Sequence, residues 1–307
     1  MTKVFIDGSA GTTGLRIVER LSQREDLELL ILPEALRKDP GARADALATA
    51  DIAFLCLPDD AAKESAALAA GMKVKIIDTS TAHRVDPAWV YGMPELAGQT
   101  EKLLASSRIA NPGCHASGFV ALVAPLVQNG ILPADAALSC FSLTGYSGGG
   151  KKMIAEYEEE NRSPLLSGPR QYALTQTHKH LKEMVALCGL ENAPVFCPIV
   201  GDFYSGMEVT VPLFAKDIKG TAEDIKALYQ SYYRGGLIRF ADAPDPDGML
   251  SAAAFAMRDD MQLSVYGNEE RILLVARFDN LGKGASGAAI QNMNLLLGLD
   301  QATGLNV

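Results

Sequence analysis

The chain lacks the features that mark nucleic-acid-binding and membrane proteins. It has no long block of lysine and arginine, and its 37 acidic residues outnumber its 28 basic ones, giving a formal net charge of −9. Because holding a phosphate polymer requires a concentrated basic surface, we predict no nucleic-acid partner. No uninterrupted apolar stretch is long enough to cross a bilayer, so we also predict no membrane partner.

Cysteine is scarce, and its distribution excludes two common uses of the residue. The five cysteines are Cys56, Cys114, Cys140, Cys188 and Cys197. An odd, scattered set without a CxxC pair argues against a disulfide framework and against a thiolate zinc site. The chain also opens on a strand-like run without the pattern of a signal peptide, and together these features predict a cytoplasmic protein.

Length and hydrophobic content predict two domains, the first of the doubly wound α/β class. The chain has 307 residues, 48% of them hydrophobic, which is in the range where one core divides into two. The first half alternates strands, predicted at 3–7, 27–32, 51–57 and 74–78, with helical segments such as 61–70. This alternation predicts a Rossmann-like parallel sheet.

A glycine-rich segment between the first predicted strand and helix predicts a nucleotide-binding loop. It reads Gly8-Ser9-Ala10-Gly11-Thr12-Thr13-Gly14. Glycines there let the backbone approach a pyrophosphate at the helix N-terminus, although an ordinary tight turn shares the pattern. Loops at the carboxyl ends of later strands should line the same crevice, and they contain Leu57, Ser80 and Arg84.

The residues after the second predicted strand leave the choice of nucleotide open. A carboxylate there would bind a ribose hydroxyl, whereas a cation would favour a 2′-phosphate. The sequence offers Glu34 together with Arg37 and Lys38, and each could equally belong to a solvated loop.

From Ala137 onward, longer alternating strands predict an α+β domain with a mainly antiparallel sheet. Strands are predicted at 138–143, 206–213 and 271–278, and helices at 221–233 and 285–297. We therefore expect a dinucleotide-binding domain at 1–114, completed by the C-terminal helix 285–307, and a catalytic or substrate domain at 115–284. This boundary would place Cys114 in a crevice between the two domains.

Cys114 is predicted to be a nucleophile at the start of a helix. In Asn111-Pro112-Gly113-Cys114, Asn111 is a good N-cap and Pro112 suits the first helical position, so the cysteine falls in the first turn. The helix dipole there lowers a thiol pKa, and free backbone N–H groups could hold an oxyanion. The alternative is a small buried residue that fills a packing gap.

A cysteine nucleophile needs a proton acceptor and donor, and the chain has four histidines: His83, His115, His178 and His180. His178 and His180 precede a helical segment and are the better candidates. His115 adjoins Cys114 but is expected to point to a different helix face. Metal binding by the His178/His180 pair is disfavoured because the pair has no further ligand to complete a shell. We therefore predict no metal.

A second glycine-rich segment, 145–152, ends in two adjacent lysines. Its flexible backbone and its cations could cradle a phosphate or carboxylate, which makes Ser147 and Lys151 candidate substrate-binding residues. A mobile surface hairpin would explain the same composition.

Taken together, the motifs resemble the N-acetyl-gamma-glutamyl-phosphate reductase family, which is related to aspartate-semialdehyde dehydrogenase. The likeness covers nearly the whole chain. This sequence differs from the family pattern at His83, where the family commonly has an aromatic residue, and at Gly148-Gly149-Gly150, which replaces a loop similar to Ser-Gly-Ala-Gly. The matching segments are Gly8–Gly14, Asp78–Arg84, Tyr91-Gly92-Met93-Pro94-Glu95-Leu96, Asn111–Cys114, His178–Glu183, Asp279–Gly287 and Gln291–Asn294.

The resemblance implies NADPH-dependent reduction of the small-molecule acyl phosphate N-acetyl-L-glutamyl 5-phosphate to its semialdehyde, in arginine biosynthesis, through a cysteine thioester. It implies Cys114 as nucleophile, with His180 or else His178 handling the proton. Arg84 and Lys151 would bind substrate, Gly8–Gly14 the NADP(H) pyrophosphate, and Asn280 and Gly284 the nicotinamide. A homodimer or homotetramer is expected.

Two alternatives remain open from the sequence. An aspartate-semialdehyde or glyceraldehyde-phosphate dehydrogenase would share the thioester chemistry. A redox-sensing regulator that binds NADP without turnover would keep the nucleotide loop but would have no use for the histidine pair and the lysine-bearing loop.

Overall fold

The computed structural model describes residues 1–245 and 247–307 and divides the chain into two compact units. Unit 1 comprises Met1–Pro94, Gly98–Pro112 and Ala285–Leu305. Unit 2 comprises Glu95–Ala97, Gly113–Gly284 and Asn306–Val307. The main passage from the first unit to the second therefore falls between Pro112 and Gly113.

Unit 1 is built on a six-stranded parallel sheet in the order β2-β1-β3-β4-β6-β5. Its strands are β1 (Thr2–Asp7), β2 (Leu27–Leu30), β3 (Ile52–Leu55), β4 (Lys75–Asp78), β5 (Val90–Tyr91) and β6 (Arg108–Ala110). Its helices are α1 (Thr12–Leu21), α2 (Pro40–Thr49), α3 (Asp59–Leu68), α4 (Gln99–Ala105) and α9 (Gly287–Leu296). The parallel, Rossmann-like class predicted for this half is confirmed.

Both faces of this sheet are covered, which explains its continuous apolar strands. All four residues of β3 are buried, as expected for a central parallel strand. One face packs against Ile17 of α1 and Met293 of α9, and the other packs against Leu47 of α2 and Ala62 of α3. The C-terminal helix α9 thus completes the core of unit 1.

Unit 2 contains a seven-stranded mixed sheet in the order β11-β12-β13-β10-β7-β9-β8. The strands are β7 (Ser139–Gly145), β8 (Arg170–Gln171), β9 (Val195–Gly201), β10 (Met207–Phe214), β11 (Ile238–Phe240), β12 (Met261–Gly267) and β13 (Arg271–Phe278). Its helices are α5 (Cys114–Gln128), α6 (Gly150–Glu158), α7 (Leu181–Cys188) and α8 (Ala222–Tyr232). Antiparallel pairs predominate, as predicted, but β7 with β9 and β11 with β12 are parallel.

Helix α5 lies on one face of this sheet and is almost wholly buried. A Cβ on Gly118 would lie 2.6 Å from Cγ2 of Val209 on β10, so the glycine permits a close approach of helix to strand. Helix α8 begins where predicted because Thr221 and Asp224 form a capping box. Among the described residues, no helix is both long and apolar enough to cross a membrane.

Candidate active site

Cys114 is the first residue of α5, and the N-cap is Gly113. The prediction that Asn111 caps this helix with Pro112 at its first position is wrong. The Asn111 amide instead donates to the carbonyl oxygen of Ala285 at 3.0 Å. The extended backbone of Gly113 begins the helix, and its N–H donates to Oε2 of Glu183 at 3.0 Å. Cys114 still occupies the first turn, where the helix dipole favours an anion.

Glu183 connects this helix start to the histidine pair. It lies on α7 and is 2% exposed. Its Oε1 atom is 4.0 Å from Nε2 of His180, the N-cap residue of α7. The backbone N–H of His180 donates to Nδ1 of His178 at 3.2 Å. One buried carboxylate therefore contacts both the nucleophile's helix and a candidate proton carrier.

His115 was expected on a different helix face from Cys114, and the structure shows that its ring packs against those of both candidate histidines. Its ring centroid lies 5.6 Å from that of His178 and 5.5 Å from that of His180. Its Nδ1 is 2.7 Å from Oγ of Ser142, and its Nε2 is 2.6 Å from the hydroxyl of Tyr172. The segment that follows β8 brings Tyr172 over the start of α5, and spacing along the sequence gave no sign of this contact.

The protonation of this cluster follows from its burial. Desolvation, reinforced by His178, lowers the pKa of His115 to about 3, so its imidazole is neutral at pH 7. Burial, reinforced by the negative charge of Cys114, raises the pKa of Tyr172, so the phenol keeps its proton. His115 is therefore excluded as a group that cycles its proton near neutral pH.

Gly284 packs directly against Cys114. A Cβ on Gly284 would lie 3.0 Å from Cβ of Cys114 and 3.1 Å from the carbonyl oxygen of Asp279. The turn is held by the fully buried Asp279 carboxylate, which accepts hydrogen bonds from Ser205 Oγ at 2.6 Å and from the N–H of Leu281 at 2.7 Å. The sequence motif identified this glycine, but only the structure shows why a side chain is not accommodated.

Replacing Gly284 with alanine should displace Cys114 rather than unfold unit 2. The Asp279 carbonyl is part of a fixed turn, so the Cys114 side chain must give way by a few tenths of an ångström. Because a misplacement of about 1 Å costs about 100-fold in rate, we expect this smaller shift to lower kcat by roughly 3- to 10-fold. Turnover at saturating substrate measures the effect. Gly168→Ala is the matched control because a Cβ there meets nothing within 4 Å. Equal turnover of the two variants would contradict this reading.

The predicted substrate-binding residues of unit 2 differ in accessibility. Ser147 is buried, and its Oγ accepts a hydrogen bond from Nδ2 of Asn280 at 3.0 Å. Oδ1 of Asn280 accepts from the N–H of Gly206 at 2.9 Å, so Asn280 ties two loops together. Lys151 is exposed in the first turn of α6. The segment is helical, so the alternative of a mobile hairpin is wrong.

The glycine loop of unit 1 makes a tight turn between β1 and α1. Gly8 has a φ of +86°, and a Cβ there would lie 2.3 Å from the carbonyl oxygen of Cys56 and 3.0 Å from Cδ2 of Leu57. A Cβ on Gly14 would lie 2.4 Å from the carbonyl oxygen of Gly8. Gly11 is the N-cap of α1, with no side chain bonded over the helix start. Backbone N–H groups can therefore meet a pyrophosphate there.

Ser80 and Arg84 lie on the loop that follows β4, next to the buried carboxylate of Asp78. Oδ1 of Asp78 accepts from the N–H of Ser80 at 2.9 Å, and Oδ2 accepts from Ser80 Oγ at 2.7 Å. Nδ1 of His83 lies 2.6 Å from the same Oδ2, and Arg84 donates to the carbonyl oxygen of Thr79 at 3.0 Å. The loop carrying Ser80 and Arg84 is thus held in one conformation.

Two further observations bear on cofactor and metal. Arg37 pairs with Glu34 at 2.5 Å on the surface of unit 1, so two of the three candidates for nucleotide choice contact each other. Within residues 1–245 and 247–307, no group of three or more histidine, cysteine, aspartate or glutamate residues is arranged to hold a metal ion.

Family comparisons agree with this architecture. The sequence-family model described as "Semialdehyde dehydrogenase, dimerisation domain" matches residues 114–280. A second family model, "Semialdehyde dehydrogenase, NAD binding domain", matches residues 33–103. Among solved structures, aspartate semialdehyde dehydrogenase II from Vibrio cholerae has a TM-score of 0.73 at 17% identity, covering 97% of this chain and 98% of that one. The enzyme from Candida albicans with NADP has a TM-score of 0.66 at 15% identity, covering 97% and 99%. These likenesses show the fold alone.

Full-length relatives are much more similar in sequence. The N-acetyl-gamma-glutamyl-phosphate reductase 2 of Nostoc sp. is 45% identical, covering 99% of each chain. The N-acetyl-gamma-glutamyl-phosphate reductase of Brucella ovis is 47% identical, covering 96% of this chain and 99% of that one. The chain therefore belongs to the N-acetyl-gamma-glutamyl-phosphate reductase family and is an oxidoreductase of the semialdehyde dehydrogenase type.

Proposed function

We propose that the chain reduces N-acetyl-L-glutamyl 5-phosphate to N-acetyl-L-glutamate 5-semialdehyde and phosphate, in arginine biosynthesis, through a thioester on Cys114. The observation that carries this proposal is the position of Cys114 at the start of α5, with Glu183 bonded to the N–H before it and a histidine cluster beside it. The names of the full-length relatives support the choice of substrate.

The chain's own residues can form and break this thioester. The Cys114 thiolate attacks the acyl carbon, the bond from that carbon to the phosphate oxygen breaks, and phosphate leaves with the electron pair. NADPH, when bound, supplies the hydride that reduces the thioester carbon. Backbone N–H groups at the start of α5 stabilise negative charge on the acyl oxygen. The carbon–sulfur bond then breaks to release the aldehyde.

His180 is the better candidate for the proton, with His178 as the alternative. The nearby Glu183 carboxylate stabilises an imidazolium on His180. Nδ1 of His178, in contrast, already accepts the His180 N–H. The histidine would take the thiol proton before attack and would return a proton to the sulfur as the aldehyde forms.

The cofactor in this proposal is NADP(H). The loop at Gly8, Gly11 and Gly14 is proposed to hold its pyrophosphate, because no side chain bonds over the start of α1 at the Gly11 N-cap and backbone N–H groups there can meet an anion. Ser9, Thr12 and Thr13 would contact the phosphates, and Leu57 and Ser80 the rest of the cofactor. Asn280 and Gly284 are proposed to approach the nicotinamide.

Arg84, Ser147 and Lys151 are proposed to bind the substrate's phosphate or carboxylate. Arg84 is buried and its loop is fixed, whereas Lys151 is exposed and can reach outward. Ser147 keeps a hydroxyl proton to donate because its oxygen is the acceptor in its bond to Asn280.

A reverse assay tests the proposed function. Purified protein is mixed with NADP and phosphate and with either N-acetylglutamate semialdehyde or aspartate semialdehyde, and NADPH formation is followed. We expect phosphate-dependent turnover with the N-acetylated substrate at least about 100-fold faster in kcat/KM, because a site built for one polar group rejects its analogue. Preference for aspartate semialdehyde would refute the substrate assignment. NADP binding without turnover would support a redox regulator.

We also propose that the protein is a cytoplasmic homodimer. A homotetramer would form by association of two such dimers. Among the described residues, none of the five cysteines forms a disulfide, which suits a reducing compartment. The sheet of unit 2 has an open face, opposite α5, on which side chains of four strands form an apolar surface. Its members are Phe141, Val195, Ile199, Pro212, Phe214 and Leu273.

A second copy of the chain is the proposed occupant of this open face. Phe141, Val195, Phe214 and Leu273 are each more than 40% exposed. A contiguous apolar patch of this kind marks an interaction surface. The family model that covers the sheet is named for dimerisation.

Replacing Phe141 with aspartate should convert the dimer to monomer. In a two-fold symmetric interface each substitution acts twice, so burying two carboxylates should weaken association by at least about 100-fold. Sedimentation velocity measures the change. Leu165→Asp is the matched control because Leu165 is 78% exposed but lies outside the open face. A Phe141→Asp protein that remains dimeric would exclude this face as the interface.

A further inference from the structure

Glu95 and Lys283 form a buried ion pair that the proposed mechanism does not use. Nζ of Lys283 lies 2.6 Å from Oε1 of Glu95, and the two side chains are 3% and 5% exposed. The residues are 188 positions apart in the sequence, and both belong to unit 2. Because the cost of desolvating two charges can exceed their mutual attraction, a buried pair is weak evidence for a role in stability alone.

Lys283 lies in a turn that contacts Cys114. It is the second residue of the single π-helical turn Gly282–Ser286, a form of backbone that is frequent at functional sites. The next residue is Gly284, whose N–H donates to the carbonyl oxygen of Asp279 at 2.9 Å. A Cβ on Gly284 would lie 3.0 Å from Cβ of Cys114. The ammonium group therefore belongs to the residue directly before this contact.

The beginning of the same turn is fixed by Asp279. Its carboxylate is fully buried and accepts hydrogen bonds from the N–H of Leu281 at 2.7 Å and from the N–H of Gly282 at 2.8 Å. The backbone between Leu281 and Gly284 is thus bonded to a carboxylate at its start, and the side chain of Lys283 bonds to a second carboxylate near its end.

The carboxylate of Glu95 is itself held in place relative to α5. Two residues after it, the N–H of Ala97 donates to the hydroxyl of Tyr232 on α8 at 2.9 Å. That hydroxyl donates to Oε1 of Gln128 at 2.7 Å, and Gln128 is the last residue of α5. Because α5 begins at Cys114, the helix that carries the cysteine and the segment that carries Glu95 are bonded to each other.

We propose that Glu95 and Lys283 are positioning residues, whose ion pair holds the turn at Gly284 against Cys114. Neither residue is proposed to touch substrate, and their effect reaches the cysteine through the backbone of the turn. This inference rests on the proposed function only for its kinetic consequence, since the turn packs against Cys114 without substrate.

The double variant Glu95→Gln/Lys283→Met separates positioning from stability. It removes both charges and keeps the side chains similar in size, so its melting temperature should stay within about 4 °C of the wild type. Lys283→Met alone leaves the carboxylate buried without the ammonium and should melt at least about 6 °C lower. A displacement of about 1 Å costs about 100-fold in rate, and a partly released turn should lower kcat of the double variant about tenfold, with KM changed less than twofold.

Hydrogen exchange of the peptide 279–286, followed by mass spectrometry, measures the turn directly. Loss of the ion pair should speed exchange there at least about tenfold in the double variant, because local opening becomes easier. Asp245→Asn/Arg277→Met is the matched control. This pair is also buried in unit 2, with Nη1 of Arg277 2.8 Å from Oδ1 of Asp245, but it lies outside the turn. The control should leave exchange of the peptide 279–286 unchanged and kcat within about twofold of the wild type.

A purely structural role for the ion pair predicts a different result. The double variant would then regain both stability and wild-type kcat, and either wild-type kcat or unchanged exchange in the peptide 279–286 would overturn the proposal. If the double variant does not fold, Glu95→Gln is compared with Lys283→Met. The amide oxygen can still accept from Nζ of Lys283, so exchange should be slower in Glu95→Gln, and equal exchange in the two would overturn the proposal.

Exchange needs no substrate. Failure of the wild-type protein in the reverse assay would therefore refute the proposed function, while the exchange comparison would still decide whether the ion pair holds the turn.

Discussion

Substituting Cys114 with serine is expected to lower kcat by at least about 1000-fold, because a hydroxyl at this position has no base strong enough to make it a comparable nucleophile. Affinity for NADPH should stay within about twofold, since the glycine loop belongs to unit 1. Steady-state turnover and fluorescence titration with NADPH measure the two quantities. The expected pattern is thus loss of chemistry with retention of cofactor binding.

Cys197→Ser is the matched control for this prediction. It makes the same chemical change at a half-buried cysteine on β9, on the face of the strand opposite Phe196, which is the residue that packs against His115, and turnover should remain within about twofold. A Cys114→Ser protein that folds, binds NADPH and retains ordinary turnover would rule out the thioester mechanism.

Substituting Arg43 with methionine is expected to destabilise unit 1 by about 3–5 kcal/mol. Arg43 is 4% exposed, and its Nε donates to Oδ2 of Asp7 at 3.0 Å. Asp7 is the last residue of β1, directly before Gly8, and Ser65 donates to the same oxygen at 2.7 Å. Removing the guanidinium would leave a carboxylate buried beneath the nucleotide loop with its charge uncompensated.

Urea unfolding followed by the emission of Trp89 measures this loss. Trp89 is the single tryptophan of the chain, belongs to unit 1 and stacks on His83 with ring centroids 4.1 Å apart. The double variant Asp7→Asn/Arg43→Met should recover most of the stability, because it removes both charges. Arg37→Met, which breaks an exposed pair, should cost less than about 1 kcal/mol. Equal losses in Arg43→Met and Arg37→Met would contradict the buried-pair argument.

Local sequence patterns were sufficient for the parts of the site built by consecutive residues. The glycine loop was predictable because Gly8 and Gly14 are required by the backbone geometry of one strand, one turn and one helix. The position of Cys114 in the first turn of α5 was predictable for a similar reason. The N-cap, however, is Gly113 and not the predicted Asn111. An N-cap preference is worth about 1 kcal/mol, and the bond from Asn111 to Ala285 outweighed it.

Residues whose role depends on long-range contacts were not predictable in the same way. The contacts of His115 could not be predicted because helical periodicity gives only the direction in which a side chain leaves the helix. It does not show which distant segments of the chain pack against that side chain. Ser142 and Tyr172, 27 and 57 residues further along the chain, bring it into the cluster. The sequence identifies Glu183 only as part of a motif that matches the family. It does not predict that Glu183 accepts a hydrogen bond from the N–H of Gly113, 70 residues away.

By itself, the sequence determined the α/β class, the parallel sheet of the first half, the glycine loop between β1 and α1, and the place of Cys114 in the first turn of a helix. These features depend on periodicity and on turn chemistry within a few residues. Tertiary structure alone decided which histidines cluster near the start of α5, that His115 stays neutral, and how closely Gly284 packs against Cys114. The physical reason is that burial and hydrogen-bond partners decide protonation and packing, and residues far apart in the chain supply both.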